Sequence, residues 1–294
     1  MSDDDPATLD KLRTAIDRVD DEMHELLMQR ARIVEQIAGA KKGTGLPVRM
    51  DREMAIVRRL IERHQGAFPV LGLVRIWREI IAGSTAIQAE ITIAVASELE
   101  NGETPLRDLA RDYYGSVARL LPGGTALASV RMVMDGRASL GVVPWPVSGG
   151  EPPWWTGLMT RDEQALRIIA GLPIASVGRE SRPEAVVVAR RPHSATGEEH
   201  SLVGLELAED VSRSRLREVM ETAGLVTLQF WSWGQDAGVP NTLVLVEVEG
   251  FVAEQDPRLA EIGERLGPSL LRCNALGAFN LPIRVKSLQE SPHA

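Results

Sequence analysis

The sequence predicts a multi-domain protein in which an all-α N-terminal unit of three helices precedes an α/β unit and a β-α-β-β-α-β unit. At 294 residues, the chain is longer than one small core needs, so it suits two or three compact units. Apolar residues repeat with the helical period near the N-terminus, and most of the prolines and glycines follow Gly66. Beyond that point, short apolar runs alternate with helical segments, which is typical of mixed structure.

The predicted first helix begins at Pro6, after the acceptor side chain of Asp5, and runs to about Lys42. Arg30 interrupts its apolar stripe, which is formed at steps of three and four by Leu9, Leu12, Ile16, Val19, Met23, Leu26, Ile33 and Ile37. Such a helix is about 55 Å long, which is more than a globule of about ninety residues is wide. We therefore expect it to pair with a second chain.

Two shorter helices complete the predicted N-terminal unit. The second helix has Asp51 as its N-cap and ends at about His64, and the third runs from about Pro69 to Glu90. The apolar face of the third helix carries Ser84 and Gln88 one turn apart. These two polar residues therefore face either a core or a cavity.

The rest of the chain divides into two predicted units. Residues 91–197 alternate strand and helix, with a strand at Ile91–Val95, helices at Pro105–Tyr114 and Thr125–Asp135, a strand at Leu140–Val143 and no regular structure from Pro144 to Trp155. The polar linker Arg191–His200 leads to residues 198–294. Their predicted order is split β-α-β, with strands Ser201–Leu207, Val226–Trp233, Thr242–Val248 and Leu270–Phe279 and helices Val211–Thr222 and Asp256–Leu266.

Composition excludes several classes of function. A net charge of -8 disfavours nucleic acid as the main partner, because phosphate binding needs a sustained basic field. Five scattered histidines lack the spacing of metal ligands, and neither a P-loop nor a G-x-G-x-x-G motif is present, so we expect no metal and no cofactor. Apolar runs are too short to cross a membrane. The acidic N-terminus lacks the layout of a signal peptide and Cys273 is the single cysteine, so we expect a cytoplasmic protein.

Arg30 has two possible roles. An arginine within an apolar stripe can lay its stem along the core and turn its head outward. Alternatively, Arg30 belongs to a pocket for a small polyanion, together with Arg13 and Lys41 on the same helix and with Ser84 and Gln88 on another. Four polar residues that accompany Arg30 favour the second interpretation.

The first ninety residues contain a series of short motifs: Leu12-Arg13-x-x-Ile16-Asp17-x-x-Asp20, Leu26-Leu27-x-x-Arg30, Ala40-Lys41, Pro47-Val48, Arg52-Glu53 and Glu79-Ile80-Ile81-x-x-Ser84-x-x-x-Gln88. In this order and spacing, the segment resembles the AroQ-type chorismate mutases and the mutase domains fused to prephenate dehydratase. The resemblance implies a chorismate mutase domain over residues 1–90 whose three helices form an intertwined homodimer. It also implies chorismate as the substrate and prephenate as the product.

This rearrangement is intramolecular and needs no nucleophile and no general base. The site must hold two carboxylates and stabilise the negative charge that grows on the breaking ether oxygen. By resemblance, the roles are as follows: Arg13 and Arg30 hold carboxylates, Lys41 and Gln88 donate to the ether oxygen, Glu53 accepts the ring hydroxyl, and Arg52 and Ser84 complete the wall. Arg13 and Arg30 lie about 25 Å apart along one helix, so we expect Arg13 to act in trans, in the partner's site.

Simpler roles exist for single members of this set. Glu53 can favour a helix N-terminus, Arg52 can be a surface charge, and Ser84 and Gln88 can satisfy each other in the core. These roles do not explain the joint pattern. One departure concerns the acidic residue that the family often has shortly before its Arg-Glu pair. Here Arg49-Met50 stands in a shorter loop, which puts one contact to a substrate hydroxyl in doubt.

Motifs further along include Ala110-Arg111-Asp112-Tyr113-Tyr114-Gly115, Gly141-Val142-Val143-Pro144 and Leu276-Gly277-Ala278-Phe279. They are similar, more distantly, to the dehydratase and ACT domains that follow the mutase in bifunctional enzymes. The family's catalytic Thr-Arg-Phe is replaced by Pro183-Glu184-Ala185, and its Glu-Asn by Pro146-Val147. We therefore expect a truncated dehydratase-like domain over residues 91–197 without dehydratase activity, and an altered ACT-like domain over residues 198–294.

Two functions compete at this point. In the first, the protein is a working mutase whose tail serves dimerisation, regulation or docking to another enzyme of aromatic amino-acid biosynthesis. In the second, it is a non-catalytic sensor that binds an aromatic metabolite or a partner enzyme. A silent sensor would be expected to lose the donors to the ether oxygen. The presence of both Lys41 and Gln88 therefore favours the mutase.

Overall fold

A computed structural model describes residues 6–40, 45–97, 105–147, 152–160, 165–177, 182–190, 195, 197–208, 211–234 and 241–285. Its helices are α1 Pro6–Ala40, α2 Met50–Arg63, α3 Val70–Gln88, α4 Pro105–Tyr114, α5 Ala126–Met134, α6 Arg213–Thr222 and α7 Pro257–Leu266. Its strands are β1 Thr92–Val95, β2 Arg119–Pro122, β3 Leu140–Pro144, β4 Arg167–Leu172, β5 Ala175–Val177, β6 Ala185–Ala189, β7 Glu199–Leu207, β8 Thr227–Trp233, β9 Thr242–Glu249, β10 Leu270–Asn280 and β11 Ile283–Val285. The predicted class is confirmed: three helices precede a sheet-rich α/β region.

The three N-terminal helices lie where the sequence predicts them, with one correction at the start of α2. Its N-cap is Arg49, and Asp51 lies inside the first turn, where its carboxylate accepts hydrogen bonds from the Arg49 guanidinium at 3.2 and 2.9 Å. The helix starts two residues earlier than predicted, because the Glu53 carboxylate accepts a hydrogen bond from the Arg49 backbone N–H at 3.2 Å. That bond satisfies one of the donors that a helix N-terminus leaves open.

The apolar stripe of α1 is largely uncovered in the single chain. Helix α1 packs on α3, and Val34 is its buried apolar residue among those described. The following side chains of the stripe are 44–64% exposed: Leu9, Leu12, Ile16, Val19, Met23, Leu26 and Ile33. An apolar face of this length on a helix is the kind of surface that a partner chain covers.

One mixed sheet runs through the rest of the molecule, in the order β2-β1-β3-β6-β4-β10-β7-β9-β8. Strand β1 is parallel to both of its neighbours, β2 and β3, while β6 is antiparallel to β3 and β4. A short 3₁₀ helix at Trp154–Leu158 corrects the prediction of irregular structure up to Trp155. It forms because both tryptophans are buried, Trp154 at 5% and Trp155 at 1% exposure, and pack in the core.

The C-terminal strands and helices have the predicted β-α-β-β-α-β order, and the strands lie side by side as β10-β7-β9-β8. Strand β10 also pairs in parallel with β4, through Gly277 and Ile168. Gly277 has φ +123°, and a Cβ there would overlap the Ile168 backbone, so this close approach requires glycine. The sheet thus continues across the predicted boundary at residues 197 and 198, and the division into domains stays a prediction.

The N-terminal helices and the α/β region share one hydrophobic core. Met54 and Val57 of α2 and Val74 of α3 are buried in the same cluster as Ile93 of β1 and Val187 of β6. Helices α2 and α3 are therefore held against the sheet, whereas α1 lies on the outer side of α3. None of the helices described is both long and apolar enough to span a membrane.

Candidate active site

Arg30 lies where the apolar stripe of α1 contacts α3. Its Nη1 donates to the Ser84 hydroxyl and, at 3.4 Å, to the Ile80 carbonyl oxygen. The side chain is half-buried rather than turned fully outward. The structure therefore favours the interpretation in which Arg30 belongs to a polar site between two helices.

Ser84 and Gln88 are on the same side of α3 as this contact. The Ser84 hydroxyl donates to the Ile80 carbonyl oxygen at 2.7 Å, and the Gln88 amide nitrogen donates to the Ser84 carbonyl oxygen at 3.1 Å. Both of these bonds are local to the helix, and the Ser84 hydroxyl in addition accepts the hydrogen bond from Arg30. Ser84 contacts Arg30 directly, and Gln88 lies one helical turn beyond Ser84.

A second cation adjoins Arg30. Burial, and then the positive charge of Arg52, lower the pKa of Arg30, which means that the two guanidinium groups repel each other. In the part of the chain that the structure describes, the hydrogen bonds of Arg30 go to uncharged oxygens and not to a carboxylate. An anion bound between the two arginines would relieve this repulsion, so the cluster is suited to a carboxylate ligand.

The Glu53 carboxylate bonds to residues of α3 and α4 and not to Arg30. Its carboxylate accepts from Arg78 Nη1 at 2.8 Å and from the Tyr113 hydroxyl at 3.0 Å. The Glu53 and Arg78 side chains are 8% and 3% exposed, and Arg78 also lies 3.7 Å above the Tyr113 ring centroid and donates to the Tyr113 carbonyl oxygen. This cluster ties α2 and α3 to α4.

Glu53, Arg78 and Tyr113 form one cluster, the Glu53 cluster, and Arg30, Ser84 and Gln88 form another, the Arg30 cluster. The two clusters lie on different faces of α3. Arg78 and Ser84 are six residues apart, which corresponds to about 120° around the helix at 3.6 residues per turn. The structure therefore does not bring Glu53 together with Arg30, Ser84 and Gln88. Neither Arg78 nor Tyr113 is among the site residues that the sequence predicts, although an arginine on the mostly apolar third helix is a signal for such a buried pair.

Two predicted site residues remain outside the cluster. Arg13 lies near the start of α1 with a side chain that is 72% exposed, and it pairs with Asp10 at 3.1 Å. Seventeen residues of one straight helix separate it from Arg30, or about 25 Å. Lys41 lies outside the described residues. Searched over the described ranges alone, the chain shows no cluster of His, Cys, Asp or Glu that would hold a metal ion.

Comparison with known proteins identifies the N-terminal region. Residues 12–89 match the family model of chorismate mutase type II. Over 141 residues, 46% of this chain, the sequence is 33% identical to a bifunctional chorismate mutase/prephenate dehydratase from Aquifex aeolicus, of which it covers 38%. A protein of the same description from Neisseria gonorrhoeae is 37% identical over 91 residues, which are 30% of this chain and 25% of that protein.

The chain spans less than two fifths of the length of these curated relatives. Among solved structures, a prephenate dehydratase from Arthrobacter aurescens aligns over 69% of this chain and 92% of its own, with 14% identity and a TM-score of 0.47. The match of residues 12–89 covers α2, α3 and all but the first turns of α1. The region that matches chorismate mutase type II thus coincides with the helices that carry Arg30, Ser84 and Gln88.

Proposed function

We propose that the protein is a chorismate mutase that converts chorismate to prephenate in the biosynthesis of phenylalanine and tyrosine. The observation that carries this proposal is the contact of Arg30 on α1 with Ser84 and Ile80 on α3, within the region that matches chorismate mutase type II. The positive charge of Arg52 adds to that of Arg30 there. Chorismate is a dianion, so two guanidinium groups match its two carboxylates in charge, and each guanidinium matches a carboxylate in planar geometry. Neither a metal nor a cofactor is needed for this reaction.

Catalysis would follow from positioning and charge. Arg30 would hold one carboxylate, and Arg52 and Ser84 would close the wall beside it. Gln88 and Lys41 would donate to the ether oxygen, where negative charge grows as the bond breaks. Glu53 would fix α2 and hence Arg52 through its bonds to Arg78 and Tyr113, in place of the contact with the ring hydroxyl that the family resemblance implies.

A homodimer would complete the site. The exposed stripe of α1 supports this proposal, because its apolar side chains have no cover in the single chain. Arg13 lies too far along α1 to reach the substrate of its own chain. A partner helix that runs antiparallel along the stripe would carry its Arg13 towards the Arg30 cluster, and a two-fold axis would create two such sites.

Dehydratase activity would be absent. Pro183, which stands where the family's catalytic Thr-Arg-Phe has its threonine, is buried just before β6 and has no hydroxyl. A cleft of about 430 Å³ opens beyond the carboxyl ends of β1 and β3, and its described walls consist largely of proline and tryptophan, among them Pro144, Trp145 and Trp154. The lining within the described residues contains no carboxylate, histidine or lysine for proton transfer.

The test is an assay of the purified full-length chain with chorismate, in which loss of chorismate absorbance is followed and prephenate is identified as the product. We expect turnover in the absence of metal and cofactor. Arg30→Ala should abolish it, whereas Arg32→Ala, an exposed arginine of the same helix, is the matched control and should retain it. Chorismate that disappears no faster than in buffer would refute the mutase proposal.

The same preparation tests the second part of the proposal. Prephenate should not be converted to phenylpyruvate above the uncatalysed rate at neutral pH. Formation of phenylpyruvate that scales with protein concentration would show that the chain retains a dehydratase and would overturn the proposed loss.

A further inference from the structure

The end of α4 and the turn after it are bonded to one face of α3. The Asp112 carboxylate accepts a hydrogen bond from Arg75 at 2.7 Å. The Ser116 backbone N–H donates to the Glu79 carboxylate at 2.9 and 3.0 Å, and the Ser116 hydroxyl donates to it at 3.1 Å. Arg75 and Glu79 are one turn apart, so both contacts lie on the same face of the helix. Their partners come from beyond residues 12–89, the region that matches chorismate mutase type II.

Tyr113 lies between these contacts and is the buried part of the junction. It is 2% exposed, its hydroxyl donates to the Glu53 carboxylate at 3.0 Å, and its carbonyl oxygen accepts from Arg78 at 2.8 Å. The hydroxyl also lies 2.7 Å from Met50 Sδ, but a carboxylate is a stronger acceptor than a thioether. Burial raises the pKa of Tyr113, so the hydroxyl keeps the proton that it donates. Tyr113 therefore links α4 to α2 as well as to α3.

Glu53 extends this link to the first turn of α2. One oxygen of its carboxylate accepts from Tyr113, and the other accepts from the Arg49 backbone N–H at 3.2 Å. Arg52 precedes Glu53 in the same turn, and its positive charge acts on Arg30 of α1. A shift of this turn would therefore change the separation of the two guanidinium groups.

Helix α3 has its contacts with α4 on one face and the candidate site on another. Arg75, Arg78 and Glu79 are bonded to residues of α4 or of the turn after it, whereas Ser84 accepts the hydrogen bond from Arg30. About 120° of helix separates Arg78 from Ser84. The two helices that supply the rest of the site, α2 and α3, are therefore both held by α4.

We propose that Tyr113 is a positioning residue of the mutase site, and that the α/β region thereby serves as a built-in scaffold for the mutase helices. This inference rests on the proposed function. Tyr113 does not touch the substrate: its hydroxyl fixes Glu53, and Glu53 fixes the turn that carries Arg52. Such a role needs no dehydratase chemistry, so it is open to a region from which the catalytic Thr-Arg-Phe is missing.

Tyr113→Phe tests this role, with Tyr114→Phe as the matched control. The first change removes the hydroxyl that bonds to Glu53 and keeps the ring and the carbonyl group that contact Arg78. The second removes, from the next residue, a buried hydroxyl that has no hydrogen-bond partner within the described ranges. Both variants are compared with the parent protein in steady-state kinetics.

Tyr113→Phe should raise the KM for chorismate by about tenfold or more and leave kcat within about twofold, because Arg52 binds substrate and transition state alike. A purely structural role would instead reduce the folded fraction, which lowers kcat and leaves KM unchanged. Tyr114→Phe should change neither constant. An unchanged KM in Tyr113→Phe would overturn the proposal, and so would an equal change in Tyr114→Phe.

A double-mutant cycle tests whether Tyr113 acts through Arg52. In the Arg52→Ala background, the guanidinium that Tyr113 positions is gone, so Tyr113→Phe should change KM by less than about twofold. If the two single effects multiply instead, Tyr113 acts by another path and the proposal is wrong.

Hydrogen–deuterium exchange followed by mass spectrometry tests the link without any use of activity. Amide exchange at the start of α2, where the Arg49 N–H bonds to Glu53, should become about tenfold faster in Tyr113→Phe and stay parental in Tyr114→Phe. Parental exchange there in both variants would overturn the proposal. A parent protein that does not turn over chorismate would refute the proposed function and the positioning role with it, whereas turnover with an unchanged KM in Tyr113→Phe would refute the positioning role alone.

Discussion

Mixed dimers of Arg13→Ala and Arg30→Ala subunits test whether one active site draws on two chains. The two arginines are seventeen residues apart on α1, a separation of about 25 Å, whereas chorismate is less than half that length. A single chain cannot bring both to one ligand. If both hold the same substrate, Arg13 must come from the partner, and each homodimer of a variant has two damaged sites.

The expected magnitude follows from counting sites. In a mixed dimer, one site combines the intact Arg30 of one chain with the intact Arg13 of the other, and the second site lacks both. Random pairing of equal amounts makes about half of the dimers mixed, and half of their sites are intact. Co-refolded subunits should therefore recover about one quarter of the parental chorismate mutase activity, while each variant alone is nearly inactive.

A matched control uses two residues that the structure brings together within one chain. Arg30→Ala mixed with Gln88→Ala should recover nothing, because both residues belong to the same site and every site of the mixed dimer lacks one of them. Subunit exchange is verified with tags of different size. If exchange is complete and the Arg13→Ala and Arg30→Ala mixture stays as inactive as its parents, the shared-site model is wrong.

Three further predictions concern stability, pH and turnover. Arg78→Ala leaves Glu53 buried without its cation and should lower the free energy of unfolding by about 3–5 kcal/mol in urea titrations. Arg75→Ala removes only an exposed ion pair and should cost about 0–1 kcal/mol, and equal losses would contradict the burial argument. Mutase activity should change little between about pH 6 and pH 8, because the Gln88 amide does not titrate. In Gln88→Glu, the pH optimum should move to lower pH, because a carboxyl group donates a hydrogen bond only when it is protonated. An unchanged pH optimum in this variant would exclude Gln88 from the site. Lys41→Ala should lower kcat by about 10²–10³ in steady-state kinetics, and an unchanged kcat would remove Lys41 from the reaction.

Much of the fold was predictable from local pattern. The period of the apolar residues and the capping signals located α1, α2 and α3, and the βαββαβ order of residues 198–294 was predictable from short apolar runs between turn residues. Strand β2, Arg119–Pro122, was not predicted, because four residues that alternate weakly in burial give little periodic signal. The cap of α2 was misplaced by two residues, because the Glu53 carboxylate competes with Asp51 for the open N–H groups.

The candidate site, like the fold, was predictable from the sequence only in part. Ser84 and Gln88 were predictable as neighbours, because residues one turn apart on a helix face share their surroundings whatever the rest of the fold does. The prediction that Arg30 of α1 joins them came from the family resemblance. The position of Glu53 was not, because its partner Tyr113 comes from α4, sixty residues further along the chain. A periodic pattern states which face of a helix is buried, but not what it is buried against.

By itself, the sequence determined the three N-terminal helices, the order of the elements from β7 to β10, and the resemblance of the first ninety residues to chorismate mutases with the cations within them. Only the tertiary structure decided that α2 and α3 share a core with the sheet, that Gly277 joins β10 to β4, and that Tyr113 of α4 bonds to Glu53. The physical reason is the distance along the chain over which each effect acts. Propensity, periodicity and capping act within a few turns, whereas packing, ion pairing and cavities depend on segments that approach each other only in the folded chain.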